Sequence, residues 1–271
     1  MRDSVTFYRG ARSEAKPLGT ISFKVLGVRV NAVRILEVIQ QIERWIEDRT
    51  AGRFIAVANT HVVMEAQQDV SFKKIINSAD LCVPDGMPLI WCGRFRGHPL
   101  GRRVYGPELM IAFCRETVAK GYRHFFYGGA PDVSDQLVRC LRHSCPGIQI
   151  AGSYSPPFRP LTRAEDDETI ERINHARPDV IWVGLGCPKQ ERWMHDHRQQ
   201  LMGGVMVGVG QAFDILSGQK KQAPVWMRES GLEWCFRLLQ EPRRLWRRYL
   251  VYNTKFIYSL SLEILGVKQF D

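Results

Sequence analysis

Between Asp179 and Trp193 the chain reads DVIWVGLGCPKQERW, an apolar run followed by two glycines, a proline and four polar side chains. Val180 to Val183 has the character of a buried strand, and Pro188 suits the first residue of a helix. A strand, a glycine turn and a helix start together make an anion site. Gly184 and Gly186 let backbone N–H groups approach a ligand, and the helix aims its free N–H groups and positive dipole end at the same point. Phosphate is the guest this chemistry favours. An ordinary βα turn in a nucleotide-free α/β domain has the same outline. The cluster Lys189, Gln190, Glu191, Arg192 in the first helical turn favours the ligand site.

Three more turns of this kind follow apolar runs: Asn59-Thr60-His61, Pro84-Asp85-Gly86 and Gly128-Gly129. In open α/β sheets ligands bind at the carboxyl ends of the strands. Asp85 is the carboxylate at such an end, where it can take a proton from an attacking sugar hydroxyl. A Pro-Asp-Gly turn or a helix cap would also place an aspartate there. Asn59 and His61 carry the same double reading at their strand-to-helix join. Arg102 and Arg103 close a basic loop with Arg94, Arg96 and His98. That loop reads either as solvated surface or as a diphosphate clamp, since guanidinium matches phosphate oxygens bidentately.

Neither GxGxxG nor GxxxxGK[ST] occurs, which argues against a typical dinucleotide fold and a P-loop NTPase. No metal site is expected. The seven cysteines form no CxxC pair, which fits reduced thiols, and His195 and His197 point to different helix faces. Asp166 and Asp167 are adjacent acids in a predicted helix, not a DxD-like motif, so cationic side chains are expected to meet phosphate charge. No cofactor is expected.

The elements that must position these residues alternate. Strands are expected at Lys24–Val30, 54–59, Leu81–Val83, 124–129, Ile148–Ala151, 180–183 and 205–210. Helices are expected at about 32–49, after Asn59 through Ile76, Pro107–Lys120, Pro131–Ser144, 162–176 and from Pro188. Repeated βα units imply a Rossmann-like parallel sheet with helices on both faces. Residues 1–20 read as a flexible tail, 21–220 as the α/β core and 221–271 as a helical appendage. With 45% hydrophobic residues in 271 the core can be large, and no apolar run approaches the ~18–20 residues of a membrane span. No signal-peptide pattern is visible, so a cytoplasmic protein is expected.

The net charge of +10 implies an anionic partner. Between Pro242 and Tyr258 lie five basic residues and no acid. On a helical wheel Arg243, Arg244, Arg247 and Arg248 fall on one half, and Leu245, Trp246, Tyr249 and Leu250 on the other. That pattern fits a helix lying in a membrane interface, and equally a helix packed on the domain with a solvated charged face. Nucleic acid is not expected as a partner, because the aromatics lie opposite the arginines and not among them.

Five segments in order, ADLCVPDGMPL (79–89), RRVYGPELM (102–110), VGLGCPKQERW (183–193), VGVGQAFDILSG (207–218) and GLEWCFRLLQEPRRLWRRY (231–249), resemble the WecG/TagA/CpsF family of bacterial glycosyltransferases, glycosyltransferase family 26. The likeness spans about residues 25 to 250. It implies an inverting transferase that moves a sugar from a UDP-sugar donor to an undecaprenyl diphosphate-linked sugar acceptor in cell-surface polysaccharide synthesis. It also implies a peripheral place on the inner face of the membrane. The family's base corresponds to Asp85, its Asn after the second strand to Asn59, its motif arginine to Arg103 and its PKQE glutamine to Gln190. The arginines of its C-terminal appendage correspond to Arg237, Arg244 and Arg247. Val57 and Gln222 depart from the family pattern, which often has threonine and a basic residue at these places.

The expected site is therefore Asp85 as base, with Asn59, His61, Arg103, Gly128, Gly129, Gly184, Gly186, Lys189, Gln190, Glu191, Arg237, Arg244 and Arg247 on the substrates. Two rival readings stand beside it: a non-catalytic nucleotide-binding subunit of a membrane assembly, and a basic nucleic-acid-binding protein. Assembly of the chain as a homo-oligomer is left open.

Overall fold

The computed structural model describes residues 21–270, so the expected tail over residues 1–20 lies outside the described residues. The described residues begin with an antiparallel hairpin, β1 (Ser22–Val25) and β2 (Val28–Asn31), followed by α1 (Ile35–Glu47). Alternating units then run β3 (Phe54–Ala58), α2 (Thr60–Gln68), α3 (Val70–Asn77), β4 (Leu81–Pro84), α4 (Met87–Phe95) and α5 (Gly106–Glu116). They continue through β5 (Arg123–Gly128), α6 (Pro131–Ser144), β6 (Gln149–Tyr154), α7 (Arg163–Ala176), β7 (Val180–Gly184), α8 (Lys189–His197), β8 (Val205–Gly208) and α9 (Ala212–Leu216). Six strands form a parallel sheet in the order β4-β3-β8-β7-β5-β6.

The strand residues explain this sheet. β3, β4 and β8 are buried at every position, as parallel strands covered on both faces must be. Alternate side chains serve two cores. Phe54, Ala56, Ile181 and Val183 join the layer under α2, α3 and α8, while Ile55, Val57, Trp182 and Val207 join the layer with α1, α5 and α6. Helix α1 turns Ile35, Val38, Ile39 and Ile42 inward at helical spacing, and α7 starts on a reciprocal Thr162–Glu165 capping box.

Several elements differ from the sequence expectation. The strand expected over Lys24–Val30 is a hairpin, because Leu26 and Gly27 both take positive φ and close a two-residue turn. The helix expected through Ile76 breaks at Asp69, whose backbone is extended and whose carboxylate caps α3 by accepting from Phe72 N at 3.0 Å. Helix α4, Met87–Phe95, is not among the expected helices, and its last turn takes in Arg94, the first residue of the expected basic loop. Gly93 lets it pack closely, since a Cβ there would lie 2.5 Å from Leu100 Cδ1. Arg94 is thus a helical residue bonded to the carbonyls of Leu100 and Gly101, and Arg96 pairs with Glu263. The helix expected over 107–120 ends at Glu116 and resumes as a single 3₁₀ turn, Val118–Lys120. Strand β6 runs on to Tyr154, and β8 stops at Gly208. Pro188 is the N-cap of α8, one residue before the helix.

After Gly208 the described chain adds no strand. Helices α10 (Val225–Glu229), α11 (Glu233–Gln240), α12 (Pro242–Trp246), a π-helical turn (Arg247–Val251) and α13 (Tyr252–Ile264) follow, and α13 packs against α2. Phe256 of α13 is 3% exposed within the main core. Near the helix end, Glu263 accepts from Leu26 N at 3.1 Å and from Arg96 Nη2 at 2.7 Å. The two-faced wheel is rotated from expectation: Leu245 and Tyr249 pack inward with Arg248 beside them, while Trp246 and Leu250 are each 52% exposed alongside Arg243 and Arg247. Residues three and four apart share a helix face, so Arg248 goes inward with Leu245 and Tyr249, while Arg243, Trp246, Arg247 and Leu250 lie together outside.

Candidate active site

Strands β3, β4, β5, β7 and β8 end on one side of the sheet, and two clefts open there. The larger, about 920 Å³, lies over the glycine turns and is lined by Gly129, Gly184, Gly186, Lys189 and Gln190 among others. The second, about 640 Å³, runs between α4 and the C-terminal helices and is walled by apolar side chains including Trp91, Phe95, Trp234, Phe256 and Ile257. Asn59, Asp85, Arg237 and Arg248 line both.

Asp85 is held at this junction by its backbone, whose N–H donates to Ala58 O at 2.7 Å and ties the β4 turn to the end of β3. Its side chain is 17% exposed, and Oδ1 has no hydrogen-bond partner. Burial raises its pKa to about 7, against the pull of Arg103 and Arg237 and with the push of Glu233 and Glu108. A carboxylate with that pKa at neutral pH suits a general base. Arg103 lies beside it, stacked 4.2 Å from the centroid of the Tyr105 ring. One of its nitrogens donates to the backbone carbonyl of Asp85 at 3.1 Å, and the other pairs with Glu233.

Asn59 caps α2, its Oδ1 accepting from His61 N at 3.0 Å and Val62 N at 3.4 Å. His61 lines the apolar cleft with its ring stacked on Tyr252, centroids 5.6 Å apart. Burial, reinforced by Arg248 and Arg237, lowers its pKa to about 3, so the ring is neutral and Glu65, 3.7 Å away, forms no charged pair with it.

Cations gather at the junction. Arg237 donates to Gln211, and Arg244 pairs with Glu241 at 2.7 Å at the rim of the larger cleft. The Nε atoms of Arg237 and Arg248 are buried without a partner in the protein. Burial lowers the pKa of Arg248, with Arg237 and Arg244 adding repulsion. An anion in this space satisfies these groups. A π turn carries Arg248 to the junction, and such turns recur at functional sites.

The structure sorts the expected residues. Asp85, Asn59, Gly129, Gly184, Gly186, Lys189, Gln190, Arg237 and Arg244 line the larger cleft, while His61 and Arg103 line the apolar one. Gly128 lines neither. Its φ is +121° and a Cβ would stand 2.6 Å from the Gly184 backbone, so it lets two strand ends meet. Arg247 is exposed and lines neither cleft; Arg248, on the arginine half of the helical wheel, lines both. Gln190 is a brace: its Oε1 accepts from Gly186 N at 3.2 Å and its Nε2 donates to Glu191 Oε1 at 2.8 Å. Glu191 is fully buried behind the turn and outside both clefts, and burial raises its pKa to about 7. His197 Nε2 lies 2.7 Å from Asp166 Oδ2, while His195 meets Ser78, so the two histidines do point apart.

Sequence reasoning missed Glu233, Gln211 and the aromatic floor formed by Tyr127 and Trp193, whose ring centroids lie 4.3 Å apart. Glu233 sits inside a motif used for the family likeness. Its role is visible only once α11 is folded against the Arg103 loop.

An open parallel sheet with a two-lobed cleft at its carboxyl edge is a Rossmann-like architecture, whose ligands bind at that edge. Comparison with known proteins narrows the class: the Glycosyl transferase WecG/TagA/CpsF family model matches residues 23–269, and the chain belongs to that family. It is a glycosyltransferase. A protein of Bacillus spizizenii named N-acetylglucosaminyldiphosphoundecaprenol N-acetyl-beta-D-mannosaminyltransferase is 35% identical over 78% of this chain and 80% of its own length. Proteins of the same name from Bacillus subtilis and Staphylococcus aureus are 31% and 29% identical, over 78% and 84% of this chain and 80% and 88% of their own lengths.

Proposed function

We propose that the protein is an inverting transferase that moves an N-acetylhexosamine from a UDP-sugar to a polyprenyl diphosphate-linked sugar on an anionic membrane surface, at the inner face of the cell membrane. The observation that carries this reading is Asp85 on the wall shared by a polar, glycine-lined cleft and an apolar one. The polar cleft suits a nucleotide diphosphate, whose charge meets the start of α8 and the arginine cluster. The apolar cleft suits the first isoprene units of a lipid acceptor. The names of the relatives support an acceptor of that chemistry.

In this reading the acceptor hydroxyl loses its proton to Asp85 as its oxygen attacks the anomeric carbon. The bond from that carbon to the diphosphate oxygen breaks on the opposite face, and UDP leaves with the electron pair. General-base help contributes about 10²–10⁴-fold. Arg237, Arg244 and Arg248 stabilise the charge that grows on the leaving diphosphate. Among the described residues no helix is long and apolar enough to cross a membrane. Trp246, Leu250, Ile257 and Tyr258 are instead exposed beside Arg243, Arg247 and Lys255, a face suited to an interface.

The test incubates the protein with a panel of UDP-N-acetylhexosamines and a short-chain polyprenyl diphosphate N-acetylglucosamine. UDP release is followed, and the anomeric configuration of the product is read by NMR. Transfer with inversion supports the reading. Tight UDP binding without transfer from any donor of the panel would overturn this choice of donor sugar and acceptor.

A further inference from the structure

Arg103 stands between two carboxylates. On one side is Asp85, with Oδ1 4.0 Å from Arg103 Nη1; on the other is Glu233, ion-paired to Nη2 and reached by the Tyr105 hydroxyl at 3.4 Å. Both acids line the apolar cleft, and both side chains are largely buried, 17% and 12% exposed. Their origins differ. Asp85 belongs to the sheet edge, whereas Glu233 is the first residue of α11, among the C-terminal helices. The same stretch docks through Arg102–Glu229, Arg228–Glu108 and Arg237–Gln211.

A guanidinium shared by two carboxylates leans toward whichever holds it. With Glu233 in place, Arg103 makes its charged hydrogen bond to Glu233, hydrogen-bonds Asp85 only through the backbone carbonyl, and stands 4.0 Å from the Asp85 carboxylate. Without that carboxylate, the nearest acid to the freed nitrogen is Asp85 itself. A direct pair there would tie up the lone pairs that must receive the substrate proton.

We propose that Glu233 is a positioning residue for the base: placed by α11, it engages Arg103 so that the guanidinium does not hydrogen-bond the Asp85 carboxylate, which stays free to accept a proton. The inference rests on the base reading of Asp85. Every charged neighbour of Asp85 bears on it. Arg103 precedes α5, Glu108 lies on α5, and Glu233 and Arg237 lie on α11. Arg248 of the π turn and the neutral His61 share the same wall. Of these, only Glu233 contacts Arg103 while itself belonging to the docked helices.

The pH profile of kcat/KM separates this role from docking alone. Glu233→Gln removes the competing carboxylate and keeps the shape. Loss of the Glu233 charge and a closer approach of Arg103, which already stands 4.0 Å from the carboxylate, both favour the ionised form of Asp85, so the acid limb should move to lower pH. Turnover above that limb should fall by less than about tenfold, because a weaker base remains. Glu233→Asp keeps the charge but draws it back, and should shift the limb less in the same direction. Glu229→Gln, which removes a neighbouring docking ion pair, should leave the limb where it is. If a folded Glu233 variant loses turnover with its acid limb unmoved or raised, Glu233 serves docking only and the proposal fails. Asp85→Asn is run alongside. Wild-type turnover in that variant would overturn the base reading itself, whatever the Glu233 profiles show.

Discussion

One guanidinium nitrogen of Arg103 lies 3.1 Å from the backbone carbonyl of Asp85 and 4.0 Å from its carboxylate oxygen. The cation therefore fixes the turn that presents the base without occupying it, and Oδ1 is left with no partner in the protein. That arrangement keeps a carboxylate desolvated yet available. Asp85→Asn should lower turnover by about 10²–10⁴-fold and leave UDP affinity within a few-fold, measured by UDP release and by calorimetry. The sign of the pH dependence follows from the raised pKa. The base is protonated below about 7, so kcat/KM should fall as pH drops through 7.

Arg247 and Arg248 are neighbours with opposite surroundings. Arg248 lines both clefts with its Nε unpartnered, and Arg247 points to solvent. A hydrogen bond to a charged group contributes about 1.5–3 kcal/mol. Arg248→Ala should therefore reduce kcat/KM roughly tenfold to a hundredfold. Arg247→Ala should stay within about threefold on a short soluble acceptor. Equal losses in the two variants would mean that the helix rotates on binding substrate.

Much of this was legible in the sequence, for identifiable reasons. Strands such as FIAVA and VIWVG are apolar throughout because both faces are covered, and the turns that follow them carry the polar residues of the site. What stayed hidden depends on tertiary context. Leu26-Gly27 lacks the Asn-Gly signature of a hairpin, and α4 looks like an apolar run followed by a basic loop. The orientation of Arg248 depends on the π turn and on how Leu245 and Tyr249 seat against the core, which a wheel drawn from Pro242 does not contain. Gln190 and Glu191 look like ligand groups in the sequence. In the fold Gln190 lines the larger cleft and also braces Gly186, while Glu191 is buried behind it as its anchor.

That anchor gives a stability prediction. The folded-state pKa of Glu191 is raised from 4.5 to about 7 by burial, so the folded protein binds this proton more tightly than the unfolded chain. Stability contributed by the protonated form is present below 4.5 and is lost as pH rises toward 7. Glu191→Gln retains an acceptor for Gln190 and carries no charge. Its Tm relative to wild type should therefore climb between pH 4.5 and 7 and level off above. Gln190→Ala should unseat Gly186 and raise the KM for the donor more than it lowers Tm. An unchanged KM would show that the brace is dispensable.

The last prediction concerns the outward face of the C-terminal helices. They cannot simply be cut away, because Phe256 and the Arg96–Glu263 pair join them to the core, so point changes are the cleaner probe. Each basic residue near an anionic bilayer contributes about 1 kcal/mol, and exposed Trp246, Leu250, Ile257 and Tyr258 add apolar insertion. Reversing Arg243 and Arg247 to glutamate turns attraction into repulsion at two exposed positions that line neither cleft. Sedimentation with vesicles containing phosphatidylglycerol should show binding weakened by more than about tenfold, and transfer to a vesicle-embedded acceptor should fall with it. Transfer to a short soluble acceptor should hardly change. Vesicle binding that survives the double reversal, with soluble transfer lost, would mean that this face serves the active site and that the bilayer is met elsewhere on the protein.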